Sequence, residues 1–64
     1  MKSDADYIRS LRAKLKLTQV EFAALIGVDR RTVIRWETGK HPMLRGMRFE
    51  IEHKVSRWKQ RRAR

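Results

Sequence analysis

Two histidines, His41 and His53, and no cysteine make up the chain's short supply of catalytic or metal-binding side chains. Neither histidine has beside it the carboxylate pair, Cys or Ser arrangement that acid–base or nucleophilic catalysis needs, so an enzyme is not expected. Without cysteine there is no disulfide framework and no thiolate metal site; no metal and no other cofactor is expected. What the sequence has in quantity is positive charge: 17 Lys+Arg against 7 Asp+Glu in 64 residues, a formal net charge of +10, with a pI near 11.4. The chemistry open to such a chain is anion binding, to nucleic acid or to an anionic membrane surface. Five of the basic groups, Arg57, Lys59, Arg61, Arg62 and Arg64, fall in the last eight residues with no acid among them, and the first 56 residues keep +5. The body is therefore basic without its tail.

The length allows one small domain, and 41% apolar residues suffice for a compact core. No 18-residue apolar run is present, so no membrane-spanning helix is expected. The opening Met1-Lys2-Ser3-Asp4-Ala5-Asp6 lacks the apolar stretch of a signal peptide. A cytoplasmic or nucleoid-associated protein follows, with no membrane partner and no small-molecule ligand.

Three short segments have helical periodicity. In the first, Ile8, Leu11 and Leu15 form one apolar stripe, with Ser3 as cap and Asp4 and Asp6 complementing the helix dipole; its expected span is 4–14. The second opens with Thr18-Gln19-Val20-Glu21, a capping box, and stacks Phe22, Ala23 and Ile26 on one side before Gly27 ends it. Asp29 caps the third, in which Val33 and Trp36 share a face and Thr38-Gly39 is the stop. Only Gly27, Val28 and Asp29 separate the second helix from the third, so the two must cross steeply. The stretch from Met43 to Trp58 is ambiguous. Leu44, Met47, Ile51, Val55 and Trp58 fit a helix, whereas Met47, Phe49, Ile51, His53 and Val55 fit strand alternation. The helical pattern is the longer and its residues favour helix, so a helix from near Met47 to Gln60 is expected, with Gly46 marking its start.

Two short helices at so tight a turn make a helix-turn-helix. The segment TQVEFAALIGVDRRTVIRWETGKHP resembles the Cro/repressor-type helix-turn-helix family, also called XRE. With Gln19 as first motif position, Ala23 falls at the fifth, Gly27 at the ninth, and Val28, Val33 and Trp36 at the tenth, fifteenth and eighteenth. Ala23 must be small where the next helix crosses it, Gly27 supplies a left-handed backbone, and the other three seal the angle. The resemblance covers roughly residues 5–42. It implies an all-α fold of the lambda-repressor-like kind, about four helices in a compact bundle, followed by the basic tail. Residues 1–56 are expected to form the DNA-binding domain with a C-terminal packing and dimerisation segment, and 57–64 the tail. The family's pairing of a first-helix Arg with the Glu that ends the recognition helix carries over to Arg12 and Glu37, closing a core of Ile8, Leu11, Leu15, Leu17, Phe22, Ile26, Val33 and Trp36.

The resemblance also implies contacts. With the third helix in a DNA major groove, Arg30, Arg31 and Arg35 match base-reading positions, and Arg suits guanine O6 and N7. Ile34 stands where the family more often has a polar residue; it either meets a thymine methyl or packs inward. Thr18, Gln19, Thr32, Lys40 and His41 are expected at phosphates, and Asp29 is a cap rather than a base contact. The basic tail is expected to add phosphate affinity. Phe49 lies about 160° from the Met47 and Ile51 stripe and needs a partner; Phe49 and Trp58 are assigned to dimerisation. The expected function is a sequence-specific regulator of double-stranded DNA, a small homodimeric autorepressor of phage or mobile-element type acting on a near-palindromic operator. Its rivals are a charge-only nucleic-acid-binding accessory protein and an antitoxin-like interaction subunit.

Overall fold

In the computed structural model, which describes residues 3–62, the chain folds into four α-helices: α1 (Asp4–Leu15), α2 (Gln19–Ile26), α3 (Arg30–Thr38) and α4 (Met47–Arg62). Each of the first three starts on an extended cap residue. The Ser3 hydroxyl accepts from Asp6 N at 3.2 Å, with Asp4 and Asp6 in the first turn. At Thr18 the capping box closes both ways: the Thr18 hydroxyl accepts from Glu21 N at 3.1 Å, and Thr18 N donates to Glu21 Oε1 at 2.8 Å. Asp29 caps α3 through its main chain alone. Its carbonyl accepts from Thr32 N and Val33 N, and its side chain makes no capping bond.

The ends are left-handed. Gly27 (φ 77°) and Gly39 (φ 75°) stop α2 and α3, as their residue types indicate. At the end of α1 the same conformation is taken by Lys16 (φ 57°), whose N–H bonds back to the last turn. No glycine marked that position.

Between Met43 and Trp58 the helical alternative holds, and no strand occurs among the described residues. Gly46 directly precedes α4, which runs on to Arg62, two residues past the expected Gln60. One member of the proposed stripe drops out. Leu44 lies before the helix begins and is 78% exposed, so the spacing that joined it to Met47 was coincidental.

The core is Ile8, Phe22, Ala23, Ile26, Val33, Trp36, Ile51 and Val55, with Phe22, Ile8, Ile51 and Val33 fully buried. Leu11, Leu15 and Leu17, expected inside, are half-buried and pack against this centre. Helix α3 packs on α1 and α2, and α4 packs on α2. Polar ties fasten α4 elsewhere. The Tyr7 hydroxyl donates to Glu52, and Arg48 donates to Asp4 Oδ1 at 3.0 Å while lying 4.4 Å over the Tyr7 ring. Asp4 Oδ2 also accepts from Met43 N at 3.0 Å, and Lys54 Nζ donates to the Ile26 carbonyl at 3.0 Å. No described helix is long and apolar enough to cross a membrane.

Candidate nucleic-acid interface

Helix α3 separates two chemistries by its periodicity. Val33, Trp36 and Glu37 are buried, whereas Arg30, Arg31 and Arg35 are exposed. Residues three and four apart share one side of a helix, so the inward set fixes which way the arginines project. Thr32 and Ile34 lie between these faces and are half-buried. Ile34 therefore gives part of its surface to the protein and part to the open side.

Glu37 is the buried charge that locks α3 in place. Arg12 grips it with two bonds, Nε to Oε2 at 2.7 Å and Nη2 to Oε1 at 3.2 Å. The same guanidinium donates from Nη1 to the Leu17 carbonyl at 3.1 Å. Gln19 Nε2 adds a bond to Glu37 Oε1 at 3.1 Å. The Glu37 carboxylate thus joins α1, the start of α2 and the end of α3, and Arg12 extends the tie to the α1–α2 turn. Both carboxylate oxygens are satisfied, which a buried carboxylate requires. Among the described residues no buried side-chain nitrogen or oxygen lacks a partner. The Arg12–Glu37 pairing is present as expected; the participation of Gln19 is not legible from helical spacing, because it depends on how the two helices cross.

The positions expected at phosphates divide in kind. Thr18, Lys40 and His41 are exposed, and Lys40 and His41 lie just past the end of α3. Gln19 is half-buried and holds Glu37 with one amide proton, leaving its second for an outside acceptor. At the α2 N-terminus the Thr18 hydroxyl already takes the Glu21 amide, so of the first-turn amides those of Gln19 and Val20 are the ones the capping box leaves unbonded.

The C-terminal positions are less united. Arg57, Lys59, Arg61 and Arg62 are exposed on the last turns of α4, and Arg64 lies outside the described residues. Phe49 is 78% exposed, as its place on the helix implied. Trp58 is half-buried and packs under the Arg62 guanidinium, 4.7 Å from its ring centre. Nine residues of α-helix turn a side chain through about 180°, so Phe49 and Trp58 lie on opposite sides of α4. The structure does not bring these two together into one surface.

Comparison with known proteins adds one result to this geometry. No curated protein and no solved structure matches the chain. The model of the helix-turn-helix family matches residues 8–45, from the middle of α1 to just before α4. That match takes in the capping box, the Gly27 turn, the Arg12–Glu37 pair and the whole of α3, and it spans more than half of the chain. The chain therefore belongs to the helix-turn-helix family of Cro/repressor (XRE) type, a family of DNA-binding transcription regulators.

Proposed function

We propose that this protein is a sequence-specific regulator of double-stranded DNA, a compact homodimeric autorepressor of phage or mobile-element type that reads a near-palindromic operator with α3. The observation that carries this is the α3 surface. Three guanidinium groups project from a helix whose other side is fixed by Val33, Trp36 and the doubly held Glu37. A fork held at a fixed angle distinguishes guanine from other bases, whereas an unanchored cation meets every phosphate alike. Arg30, Arg31 and Arg35 read bases, with Ile34 against a thymine methyl. Thr18, Gln19, Thr32, Lys40 and His41 hold phosphates.

The dimer forms through the outward side of α4. Phe49, Ser56 and Gln60 share that stripe by their spacing, and it contains no lysine or arginine. A stripe of low charge on so basic a chain is where two copies meet with least repulsion. The two-fold symmetry of such a pair sets two α3 helices on successive turns of one groove.

Selection from random duplexes, followed by titration on the enriched sequence and on a scrambled one at moderate salt, tests this. A specificity ratio of about a thousand is expected. Arg31→Ala should cost about 1–3 kcal/mol on the selected site and relax the preference at one base pair. Lys40→Ala should weaken all duplexes alike and make the salt dependence shallower. Equal affinity for selected and scrambled DNA would leave only a charge-driven binder.

A further inference from the structure

Around Trp58 the surface is hollowed. Three adjoining depressions share this ring: one with Ala24 and Leu25, one with Leu17 and Glu21, and one with Leu15. The floor is thus made of partly buried Leu15, Leu17 and Leu25, from α1, the α1–α2 turn and α2, with the exposed Ala24 beside them and Trp58 shared by all three depressions. Cations from α1 and α4 surround it, Lys14, Arg57, Lys59, Arg61 and Arg62. The single acid on the border, Glu21, already has one oxygen committed to the Thr18 amide. No residue of α3 lines any of the three depressions. The DNA-reading helix and this hollow are separate surfaces.

We propose that the hollow is a docking site for an acidic amphipathic segment of a partner protein, an apolar side chain seated against Trp58 and carboxylates on the arginine rim. Charge complementarity selects this occupant. A second copy of so basic a chain would bring a like-charged surface to a like-charged rim. A DNA duplex would satisfy the rim but presents only phosphates and sugars to an apolar floor. An unpaired base needs a whole open ring face to stack on, and here Arg62 lies over the Trp58 ring; an aliphatic side chain can instead rest on Leu15, Leu17 and Leu25 beside it. A bilayer is entered by a projecting aromatic, while Trp58 is recessed and half-buried. Carboxylates and an apolar anchor in one ligand satisfy both parts of the site.

The test uses the full chain and two synthetic helical peptides of equal charge. In the first, glutamates alternate with leucines at helical spacing; in the second every Leu is replaced by Ser. Calorimetry should show saturable one-to-one binding of the leucine peptide and at least about ten-fold weaker binding of the serine peptide. Arg57→Glu with Arg61→Glu, both exposed, should weaken the leucine peptide at least about ten-fold with helicity kept. Arg9→Glu with Arg45→Glu makes the same change in net charge away from the hollow and should cost no more than about three-fold, because distant charges are screened. Trp58→Ala should lose the discrimination between the peptides. The proposal is overturned by equal affinity for both peptides, by equal loss in the two double variants, or by no binding. Tighter, Trp58-dependent binding of single-stranded oligothymidylate or phosphatidylglycerol vesicles would also overturn it, in favour of those ligands.

Discussion

Through one carboxylate Glu37 joins three helices, α1, α2 and α3. It is 8% exposed and charged, and it is stable there because Arg12 and Gln19 supply three donors between them. Arg12 is itself only partly exposed, so solvent screens the pair weakly. Removing one member of such a pair is worse than removing both, since the survivor keeps the desolvation cost without the attraction. Arg12→Ala should therefore lower the unfolding free energy by about 3 kcal/mol, measured by urea denaturation. The double replacement Arg12→Met with Glu37→Met should recover most of that loss. If the single and double variants lose the same amount, Glu37 is not behaving as a stranded charge. On the role proposed for Gln19, the recovered protein should still bind duplex DNA more weakly, because Gln19 loses the acceptor that positions it.

At the scale of the element, the helix ends show what a sequence conveys directly. The α2 capping box was legible because both partners are present three residues apart and no tertiary contact is needed. Gly27 was legible for the same reason, its φ of 77° being open to a residue without a Cβ. The end of α1 was not. Lys16 is held at φ 57° by bonds from its own N–H and that of Leu17 to the preceding turn, and a lysine gives no local sign of this. An L-residue in that conformation costs about 1–2 kcal/mol, which glycine avoids. Lys16→Gly should raise the thermal midpoint, corresponding to roughly 0.5–1 kcal/mol after the greater freedom of glycine in the unfolded chain is included. An unchanged or lower midpoint would mean that the lysine stem contributes packing of its own. Helix α4 was legible only as a pair of alternatives, because its apolar residues satisfy both a period of two and one near 3.6. Burial of Ile51 and Val55 against α2 decides between them, and that contact is tertiary.

For the whole molecule, the ties between α4 and the N-terminal half contribute to how its stability varies with pH. The backbone N–H of Met43 and the Arg48 guanidinium hold the Asp4 carboxyl below its usual range. Burial, together with the hydrogen bond to Glu52, pushes the Tyr7 phenol well above its ordinary value. Asp4 thus contributes stability that is present above about pH 3.9, its unfolded value, and is lost as pH falls through the folded one. Tyr7 contributes stability present below about pH 10 and lost as pH climbs toward its raised folded value. Denaturant midpoints should be nearly flat from roughly pH 5 to 9 and fall on both sides. Asp4→Asn should shallow the acid limb alone, and Tyr7→Phe the alkaline limb alone. Any wider fall in acid reflects the +10 charge growing as carboxylates are protonated. None of these ties was legible beforehand: Asp4 and Arg48 are 44 residues apart, and Asp4 alone reads as an ordinary first-turn acid.

Those long separations also bear on the order of assembly. The bonds from Tyr7 to Glu52 and from Arg48 to Asp4 each close a loop of more than 40 residues, whereas Arg12 and Glu37 are 25 apart and Gln19 and Glu37 only 18. Closing the longer loops carries the greater entropy cost, and earlier contacts shorten them. By loop length alone the Glu37 contacts close first, joining α1, α2 and α3 before α4 docks. Helix α4 is then a clasp, closing over the three helices that Glu37 already joins.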